Sequence, residues 1–106
     1  MPRARFTTLT EQMFYVLLFL KEECCGMELL ERIPGETGGR VSIGSGTLYD
    51  LLDQFLGAGL IEETRREGRK RSYRITASGR ELLEREHERI LRQIEDYDRF
   101  SKGGTR

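Results

Sequence analysis

The residues best equipped for chemistry lie between positions 45 and 76. Arg65, Arg66, Arg69, Lys70, Arg71 and Arg74 crowd one short stretch, with only Glu67 among them. Cations this close repel one another unless they share an anion, and phosphate is an anion that guanidinium and ammonium groups hold well. Upstream, Ser45-Gly46-Thr47-Leu48-Tyr49 offers two aliphatic hydroxyls and a phenol. Such groups hydrogen-bond base edges and phosphates alike, and Gly44 and Gly46 let a backbone approach an anion closely. The combination points to a nucleic-acid duplex held at a groove and at its backbone.

Catalytic and metal chemistry find no comparable support. The sequence shows no Ser-His-Asp or Cys-His set, no phosphate-binding loop and no dinucleotide fingerprint. Acidic pairs such as Glu22-Glu23 and Glu62-Glu63 fit a solvated surface. No enzymatic activity and no cofactor are expected. Cys24 and Cys25 are adjacent, a spacing that strains a disulfide. They fit two small thiols at a helix junction better than a redox switch, although a helix starting after Cys25 would favour its thiolate. With His87 as the one histidine, they make a poor zinc site, and no metal is expected.

The elements that must position these groups follow from periodicity and punctuation. Residues 1–7 read as a basic, flexible arm. Thr8-Leu9-Thr10-Glu11 fits a capping box, and the helix it opens runs to about Glu23. Leu9, Met13, Val16, Leu17 and Leu20 share one face of it, while Phe14, Leu18 and Phe19 occupy others, so it must be buried nearly all round. A second helix follows Gly26 and ends at Pro34-Gly35. Ser45 is a plausible N-cap for a third helix, whose stripe Leu48, Leu51, Leu52 and Phe55 has helical spacing. Gly59 suits its left-handed C-cap. Leu60–Arg65 and Arg71–Ile75 read as two strands around a turn over Arg66–Arg69. Thr76 or Ser78 then starts a long helix to about Phe100.

The chain has 106 residues and a net charge of zero; hydrophobic residues make up 37% and charged residues 34%. One domain is the natural size, and the low apolar share suggests that a partner chain completes the buried surface. The longest apolar run, Met13 to Leu20, is too short to span a bilayer, and no signal peptide is evident. A cytoplasmic protein without a membrane partner is expected. On the last helix, Leu83, His87, Ile90, Ile94 and Tyr97 alternate spacings of four and three, a coiled-coil seam. With the surplus apolar face of the first helix, represented by Met13, Phe14 and Leu17, this seam forms the expected two-fold dimer interface. Protonation of His87 would load that interface with charge, although a solvated or hydrogen-bonded histidine is the commoner case.

Three helices and a hairpin form a winged helix-turn-helix, in which the third helix enters the major groove and the hairpin is the wing. The fold class is therefore mainly α with a two-stranded β wing. A DNA-binding domain occupies residues 1–76, a long C-terminal dimerisation helix 77–100, and a disordered tail 101–106.

Gly46-Thr47-Leu48-Tyr49, followed by Leu52 and by Gly59-Leu60-Ile61, resembles the recognition-helix signature of the PadR family of bacterial transcriptional regulators. Tyr73-Arg74-Ile75-Thr76 with Gly79 is similar to that family's wing-to-last-helix junction. Gly26-Met27-Glu28-Leu29 is similar to its second-helix start, usually Gly-Tyr-Glu-Leu. The resemblance runs from about Leu9 to Ile94. It implies a homodimeric winged-helix repressor of the short type, bound to a double-stranded operator and released by a small-molecule or stress signal. An effector would sit at the dimer interface. Carried onto this chain, it places Ser45, Gly46, Thr47 and Tyr49 at the DNA face, and Arg69, Lys70, Arg71 and Tyr73 in the wing.

The chain departs from the family pattern at Asp50, where proline is usual, and at Asp53 and Gln54, where basic residues are common. Carboxylates near a groove repel phosphate, which shifts the expected weight of binding to the wing. Met27 replaces an aromatic residue, and the chain has no tryptophan to line a flat drug pocket. Two other readings remain beside the first. One is a winged-helix protein-interaction module without DNA binding, which Asp50 and Asp53 keep alive. The other is a small-molecule-binding dimer with a cleft lined by Met13, Phe14 and Tyr15.

Overall fold

The structure, a computed structural model, describes residues 8–103. The expected flexible arm over 1–7, and residues 104–106 of the expected tail, lie outside the described residues. The element order is α1 (Glu11–Phe19), β1 (Cys24–Cys25), α2 (Gly26–Glu36), α3 (Ser45–Gly57), β2 (Ile61–Glu67), β3 (Lys70–Ile75) and α4 (Ala77–Gly103). This is the expected order of helices and hairpin with one short strand added. None of these helices is long and apolar enough to cross a membrane.

Local chemistry sets the ends of each element. The Thr10 hydroxyl caps α1 by accepting from the Met13 amide at 3.2 Å, while Glu11 turns outward to Arg40 instead of closing a capping box. The helix stops at Phe19, earlier than expected, because the Leu20 carbonyl accepts from the Ile75 amide of β3 at 2.8 Å. The chain then turns so that Cys24 and Cys25 pair with Tyr73 and Ser72. Glu28 closes the start of α2, its carboxylate accepting from the Cys25 amide at 3.0 Å.

Pro34 does not end α2. Proline lacks the N–H that would meet the carbonyl one turn back, yet the helix continues two residues, to Glu36. The Thr37 hydroxyl then donates to the Ile33 carbonyl at 2.7 Å, and the Gly39 amide to the Pro34 carbonyl at 2.8 Å, satisfying the last turn. The N-cap of α3 is Gly44, not Ser45, which is the first helical residue.

The helices α1, α2 and α3 bury Val16, Leu17, Leu20, Leu29, Ile33, Leu48, Leu52 and Phe55 against Tyr73 and Ile75 of the sheet. The sheet is antiparallel in the order β1-β3-β2, with Ile61 opposite Ile75 and Glu67 opposite Lys70. Gly68 and Arg69 alone form the turn, and Gly68 has φ of 63°. Glycine in the first position of a two-residue loop suits a type II′ hairpin.

The turn after α3 ties the domain together. Gly59, at φ 76°, takes the left-handed position, and the Leu60 amide donates to the Phe55 carbonyl at 2.9 Å, a Schellman ending. The Leu60 carbonyl accepts from the Thr76 amide at 3.0 Å. The Thr76 hydroxyl donates to the Gly59 carbonyl at 2.7 Å and accepts from the Gly79 amide at 3.2 Å, capping α4. Gly79 lies so close to the Leu60 carbonyl that a methyl group there would overlap it.

The helix α4 has 27 residues and spans about 40 Å. Only its first turns are covered: Leu82 and Leu83 join the core, and beyond Leu91 the helix is exposed as far as Phe100. It continues through residues 101–103, which were expected to be tail. Glu86 is buried between α4 and the start of α1, accepting from the Leu9 amide at 2.9 Å and from the Arg89 guanidinium at 2.9 and 3.0 Å. Arg89 foremost, and then the Leu9 amide, hold its carboxyl below the ordinary 4.5.

A depressed carboxyl stabilises the fold above its unfolded pKa, and that contribution is lost as pH falls through the lower folded value. Glu86→Gln should therefore cost about 1–3 kcal/mol at pH 7. The gap from the parent should close at pH values below 4.5. Denaturant melts of both proteins between pH 7 and 3 measure it; a gap independent of pH would sink the assignment.

Candidate nucleic-acid interface

One face of the domain brings together the start of α2, the exposed side of α3 and the tip of the β2–β3 hairpin. Ser45, Gly46 and Thr47 form the first turn of α3 and are all exposed. Tyr49, 43% exposed, leans from α3 onto the start of α2. Its ring lies on Gly26: a Cβ there would sit 2.6 Å from Cε1 and 2.7 Å from the phenol oxygen. The Tyr49 ring thus occupies the space that any larger residue at 26 would fill. A cleft of about 690 Å³ opens beside it, bounded by Met27 and Glu28 on one side and by Arg69, Lys70 and Arg71 on the other. Met27 is 70% exposed at its rim.

The wing is less cationic than its sequence suggests. Arg71 and Arg66 both reach Glu63, at 3.0 and 3.1 Å, across and along the hairpin. Arg65 lies 3.6 Å from Glu23 and 3.5 Å from Glu67, and Arg74 lies 3.8 Å from Glu62. The Arg66 and Arg71 guanidinium groups hold the Glu63 carboxyl below its usual range. The Thr64 hydroxyl, donating at 2.7 Å, does the same for Glu23, with Arg65 assisting. Arg69, in the turn, and the exposed Lys70 beside it form no ion pair with a described residue, although Lys70 acts on Glu28 at longer range. The uncompensated charge is therefore concentrated at the tip.

Three expected site residues are placed differently. Tyr73 is 2% exposed, a core residue of β3, with Arg71 stacked 5.6 Å over its ring. It packs in the core and shows only an edge to the floor of the cleft. Leu17 and Leu83, expected at a dimer face, are buried within this chain. Of the other residues expected there, Met13 and Phe14 are half-buried and Ile90 is partly covered, whereas His87, Ile94 and Tyr97 are exposed. Leu91 and Phe100 are also exposed, but nine residues apart they point to opposite sides of the helix.

Sequence reasoning missed Gly26 as the seat of Tyr49, and Glu63 as the partner of two arginines. A turn reduced to Gly68-Arg69 would have exposed the second, because it sets Arg66 opposite Arg71. The pair Cys24 and Cys25 is buried in β1, and burial pushes the Cys24 thiol up to about 11, away from reactivity at neutral pH.

The contact between Gly26 and Tyr49 makes a direct test. Gly26→Ala should destabilise the fold by about 1–3 kcal/mol through overpacking. In a Tyr49→Ala background the same change should be neutral, or stabilising by up to about 1 kcal/mol, since alanine is the better helix former. A double-mutant cycle from denaturant melts measures the coupling, and additive effects would refute the contact.

The family model described as "Transcriptional regulator PadR-like family" matches residues 16–85. Similar solved structures include H. salinarum RosR, 25% identical, covering 92% of this chain and 88% of that one, with a TM-score of 0.69. A PadR family transcriptional regulator from Eggerthella lenta is 27% identical, covering 80% and 75%, with a TM-score of 0.66. Bacillus subtilis PadR, solved in complex with operator DNA, shares the fold at 24% identity and a TM-score of 0.63. That match covers 71% of this chain and 45% of the Bacillus chain. No curated protein sequence matches the chain. With the family model spanning roughly two-thirds of its length and the winged-helix architecture in place, the chain belongs to the PadR-like family of transcriptional regulators.

Proposed function

We propose that the chain is a sequence-specific DNA-binding repressor that works as a homodimer and is released by a small-molecule or stress signal. The observation that carries this reading is that Tyr49 of α3, just past that helix's exposed first turn, lines the same cleft as the wing-tip residues Arg69 and Lys70. In this reading Ser45, Gly46, Thr47 and Tyr49 face the major groove, and the tip holds phosphates of the adjoining backbone. Arg71 joins them where a phosphate competes with Glu63 for its guanidinium. No catalytic step is assigned.

Dimerisation is supported by the apolar face of α4, where Ile94 and Tyr97 are large and exposed and the partly covered Ile90 lies on the same side. Such a stripe on a helix that projects from its own core is best covered by a second copy, with Met13 and Phe14 of α1 at its edge. Two recognition helices would then meet half-sites about 34 Å apart. A dimer on its operator represses by occupying DNA that polymerase needs. The aromatic flank of α1, where Phe14 and Tyr15 pack edge-on at 5.6 Å, is the proposed seat of an effector.

Two measurements test the reading. Arg69→Ala/Lys70→Ala should weaken binding to operator and random duplex alike, and lower the slope of log affinity against log salt by roughly 1 for each side chain removed. An unchanged slope would count against the wing. Ile94→Asp/Tyr97→Asp should give a folded monomer in sedimentation equilibrium, with operator affinity reduced at least tenfold. A dimer that survives those changes would move the interface elsewhere.

A further inference from the structure

The helix α3 buries Leu48, Leu51, Leu52 and Phe55. With 3.6 residues per turn, the opposite ridge carries Gly46, Asp50, Asp53 and Gly57, all exposed, while Thr47 and Tyr49 lie on its flanks. The centre of the surface offered to a groove is therefore carboxylate, not hydroxyl. The two carboxylates differ. Asp53 is on the wing side, within electrostatic range of Arg71. Asp50 has no cationic partner among the described residues. Its recorded contact is the Gln54 side-chain amide, one helical turn on, which donates to Oδ2 at 2.8 Å. That bond orients the carboxylate and leaves Oδ1 free to accept.

A carboxylate on this ridge needs a donor, and the major groove offers two: the amino groups of cytosine (N4) and adenine (N6). Adenine N6 stands between its own N7 and the thymine O4, both acceptors that repel a carboxylate. Cytosine N4 has an acceptor on one side only, the guanine O6, and the unpolarised C5 edge on the other.

We infer that Asp50, held by Gln54, is a specificity-determining residue that selects cytosine at one position of each half-site. This rests on the DNA-binding reading above and adds a base to it. It also means that base recognition extends past the first turn of α3. Removal of the carboxylate should have opposite effects on the two kinds of binding. Preference for cytosine falls, while affinity for random duplex rises because a negative charge has left the groove. A residue needed only for structure would lower both.

The experiment is selection of bound duplexes from a randomised pool by the full chain, Asp50→Ala and Asp50→Asn, each also titrated on random duplex. The parent should enrich cytosine at one symmetric position. Asp50→Ala should lose that preference by roughly 5- to 100-fold, with equal or tighter binding to random duplex. Asp50→Asn should move the preference to adenine, whose N6 and N7 match an amide. Unchanged preferences at every position in the alanine variant would overturn the inference and leave DNA binding standing. Equal losses on selected and random duplex would overturn it in favour of a structural role. A parent that enriches no sequence and binds no duplex would remove the DNA-binding reading itself.

Discussion

Everything the domain presents to a partner is fixed by the turn at Gly59-Leu60. The amide of Leu60 closes α3, its carbonyl receives Thr76 at the end of β3, and Gly79 of α4 presses against that same carbonyl. Four elements converge on one residue. The direction of α3, the root of the hairpin and the exit angle of α4 cannot vary independently. Glycine is needed at 59 for the left-handed backbone and at 79 for the close approach. Glu86 sets the second anchor of α4 by tying the amide of Leu9, just before α1, to the same helix. A signal that shifts α4 against α1 would therefore act on α3 through a short, stiff connection.

The hairpin shows how pairing changes the meaning of a charge count. Six cations in one stretch look like a strong phosphate site, but antiparallel register delivers glutamates to most of them. Glu63 takes Arg66 and Arg71, Glu62 approaches Arg74, and Glu23 reaches Arg65 from the segment before β1. These exposed pairs add little stability. Their larger effect is to confine free positive charge to the tip.

The parts legible in sequence were those with a period or a punctuation mark. The stripe of α3, the Gly59 cap, the hairpin and the long last helix all follow from spacing. The parts that were not legible depend on distant partners. Two residues of β1 are too few to show alternation, yet they bury Ser72 and shorten α1, since Leu20 must meet Ile75. Tyr73 was grouped with the wing's DNA-contacting residues by the family resemblance, but it belongs to the root of the strand, where the core begins. Leu83 matched a dimer seam by spacing and Leu17 was counted on a surplus apolar face of α1, and neither pattern says which turns the domain itself covers. Pro34 misled because a proline near a helix end can be followed by two more helical residues when Thr37 satisfies the last turn.

The electrostatic consequence reaches the proposed function. A dimer of the proposed kind would bring four tip cations that form no ion pair with a described residue, two from each protomer. Counterion release from those four contacts alone would give a salt slope near −3.6, or roughly a hundredfold loss between 50 and 200 mM salt, and Arg71 would add to it only where a phosphate displaces Glu63. In the proposed reading, sequence-independent binding would be correspondingly weak, and the carboxylates of α3 would weaken it further. Discrimination depends on the ratio of specific to non-specific affinity, because competing sites vastly outnumber operators. If α3 reads the groove as proposed, its acidic ridge and the small cationic tip would lower the denominator of that ratio. Base-edge contacts along α3 and the doubling of those contacts by a two-fold partner must then supply the numerator, so weak charge is compatible with sharp recognition.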